Sequence, residues 1–549
     1  MSPKILTLSC VAVLTIVVTA MAHGFGGQIG SEKGVSVHLK DGEEQQIPLR
    51  QLIAFGESLF VARFTSEDGL GRPQTKGTGS PLSDPSSPLV FPRNSNRISG
   101  PESQSCAACH NLPRAGGGGD RVGDVFVMAQ RFDFATFDRA DSIPTRGTMD
   151  EAGTFATLQN IADERKTVGM FGSGYIEMLA RQMTADLEAT CDRMPAGTSA
   201  SLVSKGVPFG VVTRRPDGTW DTSRVHGISA LSLATTGPND PPSMVIRPFA
   251  QASNVISLRQ FTNNALNQHH GMQSEERFGL DVDADGDGMT NEMTAADVTA
   301  LTLFQATLPP PGQIISNDPA FEHAVSKGQQ IFSAIGCASC HIPALPLTST
   351  AGRAQSATNS PELQGKPGWI YSEPSPYNPS GNLRPGPVDY PNTASPILVD
   401  LTSDALPGPR LKPVHSPIGE VVWVPAYTDM KLHDLCAAPD DPDREPIDQN
   451  QPPGSPAFFG GNCYFLTRHL WGLYNSGPFM HNGLFSTMRD AIEHHNGEAL
   501  ASHRAFDALD SSAQDDLIEF LKSFQVLPAG AKSLVIDENG QSRHWPPGA

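Results

Sequence analysis

Cys106-Ala-Ala-Cys109-His110 and Cys337-Ala-Ser-Cys340-His341 are two copies of one pattern in a chain of 549 residues. In each copy two thiols are spaced to add to the two vinyl groups of one haem, and the histidine that follows reaches the iron as proximal ligand. A zinc knuckle would want a second Cys-x-x-Cys close by. A thiol redox pair needs neither the histidine nor a duplicate. The expected cofactors are therefore two covalently bound c-type haems, attached through Cys106, Cys109, Cys337 and Cys340, with His110 and His341 on the irons. Such cofactors make the chemistry redox chemistry.

Working outward, the halves repeat. Gly56-Glu-Ser-Leu59-Phe60 matches Gly328-Gln-Gln-Ile331-Phe332 ahead of the two motifs, and Leu301-x-x-Phe304-Gln305 matches Leu521-x-x-Phe524-Gln525 behind them. Phe321, Ala324, Val325, Gly328, Phe332 and Ile335 fall on one helical face that ends beside Cys337. Thr294 before Asp297 and Ser512 before Asp515 read as capping-box starts of the two later helices. The fold class expected is mainly α: two tandem cytochrome c-like domains with long Pro/Gly-rich loop insertions. The boundaries are 23–315 and 316–530, with a signal peptide at 1–22 and a tail at 531–549. The 52 glycines and 47 prolines are about 18% of the chain against a usual ~12%. The Pro-rich stretch from Pro343 to Pro425 reads as a surface excursion of the second domain.

Lys4, the apolar run Ile5–Val18 and Ala20-Met21-Ala22 form an export signal with a small-x-small cleavage site. The run is shorter than the ~20 residues of a membrane span, so no transmembrane anchor is expected in the mature form and the location expected is periplasmic. A net charge of −19 argues against nucleic acid and anionic membrane as partners. An oxidising compartment favours pairing among Cys191, Cys436 and Cys463, with Cys436–Cys463 the preferred bridge and Cys191 left over.

Asp429-Met-Lys-Leu-His433-Asp, Leu470-Trp-Gly-Leu473, Gly477-Pro-Phe-Met-His481-Asn-Gly483 and Ala491-Ile-x-x-His495-x-Gly-Glu-Ala499 resemble the di-haem oxidoreductase family. That family is related to bacterial di-haem cytochrome c peroxidases and to the di-haem enzyme that matures methylamine dehydrogenase. Two departures are local: Asn482 stands where the family has aspartate, and Cys436 where it tends to have glycine. The resemblance implies a peroxidase-like oxidoreductase acting on peroxide or another small substrate, fed by a small redox donor, a cytochrome c or copper protein. An electron-transfer module without its own substrate is the alternative.

The sixth iron ligands decide between these. From Ser486 or Thr487 to Gly497 the chain reads as a short helix whose inward face is Met488, Ala491, Ile492 and His495, with His494 turned about 100° away. His495 is thus the expected partner of His341, where the resemblance places methionine or tyrosine in relatives. Met430 and Met480 are other candidates. In the first half, stepping back as far from Leu301 as His495 lies from Leu521 reaches the neighbourhood of His269, His270 and Met272. One of these caps the first haem, or a histidine stands above it as acid and base, on a loop able to swing away. Asp281, Asp283, Asp285, Asp287 and Glu292 occupy positions 1, 3, 5, 7 and 12 of a calcium loop with Gly286 at position 6. Met178 and Met183 read as core methionines.

Overall fold

The computed structural model describes residues 29–71, 103–119, 121–124, 163–283, 287–348, 366–377, 396–417, 419–438, 441, 443–445, 448, 450–451, 457 and 460–545. The signal segment and Asp285 lie outside these. Ahead of the first motif, helix Leu49–Val61 buries Leu52, Gly56, Leu59 and Phe60 against helix Ala295–Thr307. The latter starts at a reciprocal Thr294/Asp297 capping box. Ahead of the second, helix Pro319–Ala334 is capped by Asp318 and buries Val325, Gly328, Ile331 and Phe332 against helix Ser511–Lys522.

The two helix pairs carry matching ring clusters. Phe60 lies 5.1 Å from Phe304 and 6.2 Å from His110, while Phe332 lies 5.4 Å from Phe520 and 6.3 Å from His341. The residue equivalent to Phe304 is therefore Phe520, and the match through Leu521 and Phe524 is one helical turn too far. Leu-x-x-Phe occurs twice in this stretch, at Leu517 and at Leu521, and only packing against Gly328 distinguishes them. The cap moves with the register: Asp510, not Ser512, accepts Ala513 N at 2.9 Å.

The expectation of a mainly α chain is corrected. Among the described residues helix accounts for 33% and strand for 18%, the strands lying in several small sheets. The largest core joins helix Ser173–Asp192, including Met178 and Met183, to Leu202, Phe209 and Val212 of an antiparallel three-stranded sheet, and to Leu347, Tyr371, Val399 and Val422. Those last four belong to short strands inside the Pro-rich stretch, which is built into the core and not laid over it. Few-residue strands between prolines show no sustained alternation, so periodicity could not reveal them. This core takes side chains from both sides of residue 315.

Two smaller cores flank the motifs. One holds Leu59, Phe60, Phe64, Met293, Leu301 and Phe304 with Cys106 at its edge. The other holds Val325, Phe332, Tyr427, Leu470, Phe506 and Phe520 with Cys337 at its edge. Cys436 and Cys463 are disulfide-bonded, and Cys191 is buried as a free thiol. Among the described residues no helix is long and apolar enough to cross a membrane.

Candidate di-haem site

His110 follows helix Cys106–Cys109, and its Nδ1 donates to Val168 O at 3.0 Å. His341 Nδ1 donates in the same way to Tyr427 O at 3.1 Å. A carbonyl can only accept, so the hydrogen is on Nδ1 and the lone pair on Nε2, the tautomer an iron ligand needs. Burial pushes the His110 imidazole down to about 4, with His269 as the next contribution. Burial does the same to His341, again to about 4, with His495 next. Both rings are thus neutral at neutral pH, and each has a second histidine within electrostatic reach. The four motif cysteines form no disulfide and are partly exposed. Burial raises the Cys106 thiol to about 12. With apolar walls, neutral thiols and oriented rings, both places fit a covalently held haem.

At the first centre the distal candidates do not lie on a loose loop. Helix Leu258–Ala265 runs into a π-turn, Leu266–His270, a widened turn of the kind often found at functional sites. Ser103 N donates to His269 O at 3.2 Å and Gly71 N to His270 O at 3.3 Å. His270 Nδ1 donates to Ser103 O at 2.7 Å, and its Nε2 lies 3.4 Å from Cys106 Sγ. His270 is therefore the one beside the attachment cysteine, while His269 adds to the downward push on His110. Met272 is fully buried in the apolar core with Leu266 and Met293.

A buried ion network braces the helix that carries these histidines. Glu177 accepts Arg181 Nε at 3.0 Å and Leu258 N at 2.8 Å. Arg259 bonds Glu373, Glu276 at 2.7 Å and Thr299 at 2.9 Å. Burial raises the Glu373 carboxyl to about 7 against the pull of Arg259.

At the second centre, helix Met488–Glu493 is capped by Thr487, whose Oγ1 accepts Asp490 N at 3.1 Å. His495 Nδ1 donates to Ala491 O at 2.7 Å, which leaves its Nε2 free. His494 is exposed and its ring lies 4.0 Å from Phe485. The helix, expected to run on to Gly497, ends before His495, which sits on the turn beyond. His433, bonded to Asp429 and Glu498, and His503, whose ring adds to the downward push on His495, were missed as members of this centre. Asp429, His433 and Glu498 lie inside the quoted motifs, but nothing local shows that they meet. Met430 is buried in the largest core.

The acids of the expected calcium loop have the following partners. Asp281 Oδ1 accepts Asn291 Nδ2 at 2.7 Å, Asp283 Oδ2 accepts Gly288 N at 3.0 Å, and Asp287 Oδ1 accepts Met289 N at 2.7 Å. Glu292 is instead buried, accepting Gln273 N at 2.7 Å and Gln273 Nε2 at 3.2 Å. A Cβ on Gly69 would lie 2.2 Å from its Cδ. Among the described residues no three of these acids converge. Glu292→Ala is expected to destabilise the chain by about 1–3 kcal/mol, because Gln273 N loses its acceptor in a buried place. Thermal unfolding with and without a calcium chelator checks this. A loss confined to calcium-loaded protein would assign Glu292 to the ion instead.

Residues 413–524 match the family model described as "Di-haem oxidoreductase, putative peroxidase". This stretch is similar to the di-haem oxidoreductase family, the one that the histidine motifs resemble. Among solved structures, hydrazine synthase of Kuenenia stuttgartiensis is similar at 13% identity over 64% of this chain and 86% of that one, with a TM-score of 0.22. A MauG-like protein associated with microbial copper homeostasis is similar at 13% identity over 64% of this chain and 88% of that one, with a TM-score of 0.23. Neither likeness is strong enough to carry an argument. No curated protein matches the chain.

Proposed function

We propose that this chain is an exported, peroxidase-like di-haem oxidoreductase with one electron-storing centre and one reactive centre. The observation that carries the reading is the doubled arrangement of His110 with His269 and His341 with His495: in each pair one imidazole is locked with Nε2 outward and a second histidine is close by. His110 and His341 would hold the irons, Cys106, Cys109, Cys337 and Cys340 the porphyrin edges. Bound haems supply one-electron steps and an iron open to peroxide.

The remaining work falls to the chain. Reducing peroxide to two waters takes two electrons and two protons, and the protons need carriers inside a buried site. His269 and His270 fill that role at the first centre, the latter with Nδ1 pinned to Ser103 O and Nε2 beside Cys106 Sγ. Phe60, Phe64 and Phe304 keep bulk water from its apolar side. At the second centre His341 and His495 would together hold the iron, and such a bis-histidine site would have a lower potential than a His/Met pair, suited to storing an electron from a small cytochrome or copper protein. On the same reading Asp281, Asp283, Asp285 and Asp287 take calcium, with Glu292 joining only by releasing Gln273.

A second reading has a specific observation behind it. Each proximal histidine has a histidine neighbour, so both irons can be six-coordinate, as in an electron-transfer module. One experiment separates the two. The holoprotein is expected to keep both haems through acid-acetone extraction and, in the half-reduced state, to bind cyanide at one haem and consume peroxide with a reduced cytochrome or copper donor. Two low-spin irons that refuse cyanide in every redox state would leave only the electron-transfer reading. Haem lost on extraction would end both.

A further inference from the structure

The chain Asp429–His433–Glu498 has no part in the mechanism above. His433 Nδ1 lies 2.7 Å from Glu498 Oε2 and its Nε2 2.8 Å from Asp429 Oδ2. Carboxylates only accept, so both ring nitrogens carry hydrogen and the ring is a cation held by two charge-assisted bonds. Burial opposes the charge, but the bond to Asp429, with Cys340 and Glu498 behind it, holds the pKa up to about 11.

The two ends of this chain touch different segments of the second half. At the Asp429 end, Cys340 Sγ, an Asp429 oxygen and a His433 nitrogen lie within 4.8 Å of one another. Thr428 N donates to Ile342 O at 3.1 Å, one residue past His341. At the other end, Glu498 Oε1 accepts Asp434 N at 3.2 Å, and Gly497, at φ +51°, comes so near Asp434 O that a Cβ would lie 2.2 Å from it. Glu498 stands three residues beyond His495. Since helix Met488–Glu493 has already ended, the turn bearing His495 is fixed on its far side by this contact with strand Leu432–Asp434.

We infer that Glu498, acting through His433, is a positioning residue for His495: the pair sets the distal histidine against the attachment motif of the same haem. The inference rests on the reading in which His495 ligates the second iron. Glu498 is 53% exposed, so as a stabiliser of the fold it contributes little; its effect is on where the turn sits.

The test uses the holoprotein, with electron paramagnetic resonance and potentiometry of the second haem beside thermal unfolding. Glu498→Ala is expected to shift the balance between bound and released His495 about tenfold toward release, the effect of one lost charge-assisted bond. That appears as a new high-spin signal and a raised potential with little change in unfolding temperature. Glu498→Gln, which keeps one acceptor, is expected to restore most of the low-spin signal, and His433→Asn to resemble Glu498→Ala. If Glu498→Ala yields no holoprotein, Glu498→Asp, shorter by one methylene, is read the same way. A wild-type spectrum in Glu498→Ala alongside a high-spin His495→Ala overturns the positioning role and leaves the ligand standing. A wild-type spectrum in His495→Ala overturns both.

Discussion

Gly328→Ala is expected to pull the second haem's helix pair apart. A Cβ at this position would lie 2.0 Å from Asp516 O and 2.8 Å from Phe520 Cβ. The first of these is backbone, which cannot swing aside. Alanine gains up to about 1 kcal/mol of helix propensity over glycine, but overpacking at a backbone contact costs about 1–3 kcal/mol or more. The loss also propagates, because Phe520 packs on Phe332 and Phe332 on His341. The expected result is an unfolding temperature lowered by several degrees together with a changed second-haem spectrum. Gly56→Ala, where the added carbon would lie 1.9 Å from Ala300 O, should do the same at the first haem alone. Spectra and calorimetry of the two variants check this. An unchanged unfolding temperature in both would mean that the helix pairs do not approach as closely as the structure has them.

What the sequence revealed is what is local. Cys-x-x-Cys-His places every partner within five residues, so its chemistry needed no fold. The shared face of Met488, Ala491 and Ile492 follows from helix geometry alone, and Ala491 is buried while His494 is exposed, but the turn that carries His495 does not follow from it. Gly56 and Gly328 were visible as a repeat, yet the register of their partner helices was not: Leu517 and Leu521 each begin a Leu-x-x-Phe, and the choice is made by a glycine almost two hundred residues upstream. The strands holding Leu347, Tyr371 and Val422 were hidden because three- to six-residue strands between prolines carry no period. The Glu498 contact with His433 spans 65 positions, and neither residue signals the other. Glu292 has a second partner that its motif does not show. A motif register can place a carboxylate correctly in sequence while the fold gives its oxygens to Gln273.

His495→Ala is expected to produce the largest spectroscopic change of any single substitution, full conversion of the second haem from low to high spin with a raised potential. Three observations converge on it. The His495 Nδ1 hydrogen is committed to Ala491 O, so Nε2 is the free nitrogen. Burial pushes its pKa down, which keeps it neutral and able to ligate. It also contributes to the depression of His341, which places it close to the proximal ring. His494 Nδ1 is bonded in the same way, to Asp490 O at 2.7 Å, but its ring is exposed and His495, not His494, stands next after burial in the depression of His341. His494→Ala should therefore leave the spectrum as it was. Resonance Raman spin-state markers on the two variants decide the matter. Conversion in His494→Ala with none in His495→Ala would show that the turn after Glu493 is wound differently in the holoprotein. Conversion in neither would move the ligand elsewhere, with His503, whose Nδ1 is buried without a hydrogen-bond partner, the next residue to replace.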